Sequence, residues 1–119
     1  MVAALSVTGL RDERAWRLRE QARTAAPVAS LASLEGVFGD AAWRWREEHL
    51  ARAPKIVMQT LAGVDDERAW ALRGAVAADC KEALDSIVAL DGLRAWSLRE
   101  AHADVWPSTV VKSLGPLAD

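Results

Sequence analysis

Apolar and polar positions along this chain recur with a period too long for a single helix or strand. The segments Arg-Ala-Trp-Arg-Leu-Arg-Glu (14–20), Ala-Ala-Trp-Arg-Trp-Arg-Glu (41–47), Arg-Ala-Trp-Ala-Leu-Arg-Gly (68–74) and Arg-Ala-Trp-Ser-Leu-Arg-Glu (94–100) carry one pattern. Their tryptophans, Trp16, Trp43, Trp70 and Trp96, are spaced 27, 27 and 26 residues apart. Within the first segment Ala15, Leu18 and Ala22 fall at i, i+3 and i+7, one apolar stripe of a helix with Trp16 beside it. A repeat of this length marks an array whose units cannot bury their apolar faces alone and must stack.

Each unit reads as two short helices. The first opens at an acidic cap, Asp12, Asp40 or Asp66, where negative charge suits free N–H groups and the helix dipole. The second opens at Pro27, Pro54 and Pro107, since proline at the first helical position forfeits no hydrogen bond. The third unit has no such proline and is expected to carry about two extra residues near Asp79 to Glu82. Apolar pairs at i, i+3 (Leu31 and Leu34, Met58 and Leu61, Ile87 and Leu90, Val111 and Leu114) fill the second helices. Gly36, Gly63, Gly92 and Gly115 are expected to end them through left-handed turns. The units therefore span about 10–36, 37–63, 64–92 and 93–115, preceded by a partial helix at 2–9. Neither end reads as a polar cap, so an excised piece or a short paralogue of a longer array is expected, together with self-association through its ends.

Composition narrows the picture further. The 119 residues fit one domain with a modest core, and the formal charge of −2 gives no general attraction to nucleic acid or membrane. Residues 1–60 hold nine basic and seven acidic side chains and 61–119 hold six and ten, too small an asymmetry to name a partner. Cys80 is the single cysteine, so no intrachain disulfide forms. The start of the chain lacks a secretory leader and no run is apolar enough to span a bilayer, so a cytoplasmic protein is expected.

Glu13 and Arg19, Asp40 and Arg46, and Glu67 and Arg73 stand six residues apart on the first helices, and Arg99 continues the arginine column. Helix pairs with a proline at the inner turn and this acid–arginine spacing resemble short bacterial HEAT-like repeats. The resemblance implies an all-α fold, a right-handed α-solenoid of four HEAT-like helix pairs, in which each arginine reaches an acidic group of the neighbouring unit. The Trp-x-Leu-Arg phrase is also similar to repeat arrays of bacterial thymidylate kinase-like proteins. No Gly-x-x-x-x-Gly-Lys-Ser/Thr phosphate loop accompanies it here.

The repeated residues, Trp16, Trp43, Trp70 and Trp96 with Arg19, Arg46, Arg73 and Arg99, read as packing anchors between units rather than as an exposed ribbon. Candidate partner contacts are Trp45 and Trp106, which lie outside the repeat, with Arg17 and Arg44. His49 and His102 share a repeat position but lack the ligand spacing of a metal site. Cys80 has Lys81 beside it, which would lower a thiol pKa, yet no base accompanies it, so no catalytic residue and no cofactor are assigned. The expected function is a non-enzymatic protein-interaction or scaffold module of a larger bacterial protein. Alternatives are an accessory region of a nucleotide kinase-like enzyme, or nucleic-acid binding through an arginine-lined face.

Overall fold

The computed structural model describes residues 13–115, and all regular structure in them is α-helical. The expected partial helix at 2–9 and the cap at Asp12 lie outside this range. The helices are α1 (Glu13–Ala25), α2 (Pro27–Ala32), α3 (Asp40–His49), α4 (Pro54–Thr60), α5 (Glu67–Val76), α6 (Glu82–Asp85), α7 (Leu93–His102) and α8 (Pro107–Leu114). They come in pairs, as expected, with the first member of each pair longer than the second. The chain forms two compact units, residues 1–60 with α1 to α4 and residues 61–119 with α5 to α8.

In the first unit α1 packs on α2, α3 on α4, and α2 on α4. The core joins small and aliphatic side chains with two indoles: Ala15, Leu31, Leu34, Ala42, Val57 and Met58 are essentially inaccessible, and Trp43 and Trp45 are buried beside them. The second unit repeats the arrangement, with α5 on α6, α7 on α8 and α6 on α8. Its core cluster joins Trp70, Leu84, Ile87 and Ala95, with Leu98, Trp106 and Val110 packed around it.

Several boundaries differ from the sequence expectation. The cap of α3 is Gly39, with Asp40 one position inside the helix; Asp66 is the cap of α5, its carboxylate accepting from Arg68 N at 2.8 Å. Gly92 does not end a helix. It is the extended cap of α7 (φ −167°), and the left-handed residue that closes α6 is Ala89, at φ 65°, matching Gly36 (φ 81°) and Gly63 (φ 76°). The third helix pair is accordingly shortened, not lengthened: α6 has four residues and follows a turn in which Ala83 N reaches Cys80 O. Without proline to preset the backbone, the entry at Cys80 runs as a tighter i→i+3 turn.

Candidate functional site

The first thing each unit builds is an arginine socket. Tryptophan and arginine three residues apart share a helix face, and each guanidinium lies over the ring of its own tryptophan. The distances from the guanidinium carbon to the ring centre are 4.9 Å for Arg19 on Trp16, 4.9 Å for Arg46 on Trp43, 4.4 Å for Arg73 on Trp70 and 4.9 Å for Arg99 on Trp96. All four arginines are buried, none more than 1% exposed.

Each arginine Nε donates to a hydroxyl in or just after the following short helix: Ser33 at 2.8 Å, Thr60 at 2.9 Å, Ser86 at 2.7 Å and Ser113 at 2.8 Å. That hydroxyl donates in turn to the carbonyl three residues earlier, which leaves its lone pairs facing the arginine. The Nη2 groups go to carbonyls at helix ends. Arg46 reaches Leu34 O at 2.8 Å, Arg73 reaches Leu61 O at 2.9 Å, and Arg99 reaches Ile87 O at 3.1 Å and Leu90 O at 2.8 Å.

This arrangement replaces the acid–arginine ladder implied by the HEAT resemblance. Glu67 is exposed and takes Arg94 at 2.6 Å, while Arg73 six residues on is buried among Leu61, Ser86 and Trp70. Glu13 and Asp40 are likewise exposed at the starts of their helices. Carbonyls at helix C-termini carry the negative end of the dipole, so they and the aromatic face stabilise a buried cation without a carboxylate. The residual cost of burial falls on the charged form. Burial lowers Arg46 to about 10 and Arg73 to about 10, the latter held up in part by Asp65, and lowers Arg99 as well. At neutral pH the arginines remain charged, and Nη1 of Arg46, Arg73 and Arg99 meets no protein acceptor.

The tryptophans are tied differently from unit to unit. Asp65 and Asp91 accept from the indole N–H of Trp70 at 2.8 Å and Trp96 at 2.7 Å. In the first unit Phe38 holds the place equivalent to Asp65, stacking at 5.8 Å on Trp43 and covering the Arg46 guanidinium at 4.9 Å. Sequence reading did not bring out this acid column, because only two of its positions are acidic.

The candidate contact residues separate. Trp45, a candidate contact in a slot that is leucine in the other three repeats and so also a core candidate, is buried at 5% exposure, pressed between Trp16 at 5.9 Å and His49 at 6.3 Å with Arg23 over its ring at 5.2 Å. Its edge and the exposed Arg44 line a hollow of about 180 Å³. Trp106 is half-buried, its N–H donating to Ala77 O at 2.7 Å. Arg17 is exposed on α1, beside Leu18 and Gln21. Trp96, expected as an anchor, is 38% exposed.

His49 and His102 each donate from Nδ1 to the carbonyl four residues back, Trp45 O and Leu98 O, both at 3.0 Å. Among the described residues no cluster of three or more histidine, cysteine or acidic side chains converges. Cys80 is buried, and burial with the Glu82 contact at 3.5 Å raises its pKa, opposite to the shift anticipated from Lys81.

A hollow of about 470 Å³ in the first unit lies between the end of α1, α2 and the turn from α3 to α4. Arg23, His49 and Arg52 form its polar side; Val28, Leu31 and Ala53 form its apolar side. None of these six belongs to the repeated tryptophan or arginine columns, and no acidic side chain lines it. A concave, partly apolar site with a few convergent polar groups is the usual shape of a binding pocket.

Comparisons with protein-family models, with characterised proteins and with solved structures find no significant match.

Proposed function

We propose that the chain is a non-catalytic protein-interaction or scaffold module of a larger bacterial cytoplasmic protein, built as a right-handed α-solenoid of four HEAT-like helix pairs. The supporting observation is a division of labour among the side chains. The repeated arginines are consumed by hydroxyls, carbonyls and rings inside each unit. Side chains outside that framework, Arg52 and Val28 with His49, gather instead around the 470 Å³ hollow. Repeat arrays characteristically keep the framework constant and vary the binding surface.

Panning a random peptide library against the immobilised chain tests the interaction reading. Enriched sequences that compete with one another and lose binding to an Arg52→Glu variant support it; an unenriched library after several rounds refutes it. Small-angle scattering tests the solenoid: an elongated distance distribution is expected, and a spherical one refutes the stacked arrangement.

A further inference from the structure

The second unit contains a side chain that fills the place left open in the first. Trp106 stands seven residues after Arg99, immediately before Pro107, and its indole packs on the cluster of Trp70, Leu84 and Ile87 while its N–H donates to Ala77 O at 2.7 Å. Counting from the buried arginines and their hydroxyl partners gives the equivalents in the first unit. Trp106 corresponds to Ala53, seven after Arg46 and before Pro54. Ala77, four after Arg73, corresponds to Arg23, four after Arg19. Leu84, two before Ser86, corresponds to Leu31, two before Ser33.

These three equivalents, Ala53, Arg23 and Leu31, all line the 470 Å³ hollow. Replacement of an indole by a methyl group has left the surfaces an indole would touch and taken away the indole. The hydrogen-bond acceptor is kept too. Four residues beyond Arg23 stands Pro27, which has no N–H to offer its carbonyl. The rim differs in charge: Arg23 and Arg52 stand where the second unit has Ala77 and Val105. Glu48 neutralises part of Arg23 at 3.2 Å, and Arg52 and the Nε2 edge of His49 remain on the rim with no acid opposing them.

We propose that this hollow is a receptor for a tryptophan side chain of a partner protein, the indole entering against Leu31 and Ala53 with its N–H on the Arg23 carbonyl, and acidic residues beside it meeting Arg52. The proposal rests on the interaction-module reading and gives the partner its chemistry. Desolvating an indole supplies the apolar area typical of an interface hot spot, and the rim arginines select acidic neighbours. The chain's own sequence at 104–107, Asp-Val-Trp-Pro, is the internal example of such a segment.

The test titrates the 15N-labelled full chain with the peptide acetyl-Asp-Val-Trp-Pro-amide and with its Trp-to-Ala counterpart. The tryptophan peptide is expected to shift the amides of Val28, His49, Arg52 and Ala53, and the alanine peptide is not. Ala53→Trp closes the hollow from within, and is expected to abolish these shifts while raising Tm. Arg52→Glu, a surface change that leaves the core intact, is expected to weaken binding by about tenfold through the lost charge pairing. Equal binding of both peptides, binding by Ala53→Trp as strong as by the parent, or no shift at these amides overturns the proposal. If library-selected peptides without tryptophan bind at Arg52 while this peptide does not, the indole inference fails and the interaction module stands; if no peptide binds anywhere, both fail.

Discussion

The guanidinium of Arg73 lies 4.4 Å from the centre of the Trp70 ring, and its Nε donates to Ser86 at 2.7 Å. Trp70 is tied in turn to Asp65 at 2.8 Å. An aromatic face, a hydroxyl and helix-end carbonyls together take the place of a carboxylate, and this socket recurs in each helix pair.

Ser86→Ala leaves the Arg73 Nε–H buried without its acceptor and is expected to cost about 1–3 kcal/mol. Ser86→Thr is expected to be near neutral, because Thr60 fills the same role for Arg46 at 2.9 Å. Urea denaturation of the pair of variants checks this, and equal stability of the two would remove the hydroxyl from the account.

Trp70 is 9% exposed and Trp96 is 38% exposed. Trp70→Ala is therefore expected to cost about 3–5 kcal/mol, the range for an aromatic lost from a core, and Trp96→Ala distinctly less. Thermal unfolding of both variants measures the order, and a larger loss at Trp96 would contradict the burial pattern.

Ala89 holds a left-handed backbone at φ 65°, where glycine stands at Gly63. Ala89→Gly is expected to stabilise by up to about 1 kcal/mol, the steric relief exceeding the added freedom of the unfolded chain. Gly63→Ala, where no atom lies within 4 Å of the added carbon, is expected to destabilise by about 1 kcal/mol through its backbone alone. Opposite signs in chemical denaturation confirm the assignment.

Burial lowers Arg46 to about 10 in the folded chain, well below its ordinary value in the unfolded one. Below about pH 10 both states are charged, and the penalty of burying the cation is fully present. Above about pH 10 this group loses its proton in the folded chain before it does in the unfolded one, which then binds more protons, so it makes folding more favourable as pH rises. The stability difference between the native chain and Arg46→Met is expected to shift toward the native chain from pH 9 to 10.5 and to stay flat from pH 6 to 8.

The thiol of Cys80, raised by burial and by Glu82, is expected to react with a disulfide reagent at pH 8 more slowly than a free cysteine and to speed up in urea. An already fast reaction in the folded chain would place it at the surface.

The helices themselves were legible because their signals are local. Prolines at 27, 54 and 107 open second helices, and the tryptophan segments lie in first helices. The third pair misled because its glycine was matched to the wrong event: Gly92 was read as a helix end, although Ala89 makes that turn. The serine and threonine column would have given the register. Its members follow their arginines by 14, 14, 13 and 14 residues, which locates a one-residue deletion in the third pair.

The sequence by itself determined the repeat, the two helices of each repeat and the arginine set over each tryptophan, because helix periodicity, capping and i, i+3 proximity act over a few residues. Only the tertiary structure decided that those arginines turn inward to hydroxyls and carbonyls, that Trp96 is left partly exposed, and that a hollow opens where alanine stands in the place of tryptophan. Each of these depends on which surface of another helix stands opposite. A buried guanidinium takes whatever acceptors packing brings to it, and those lie about 14 residues along the chain, on a helix whose position no local pattern encodes.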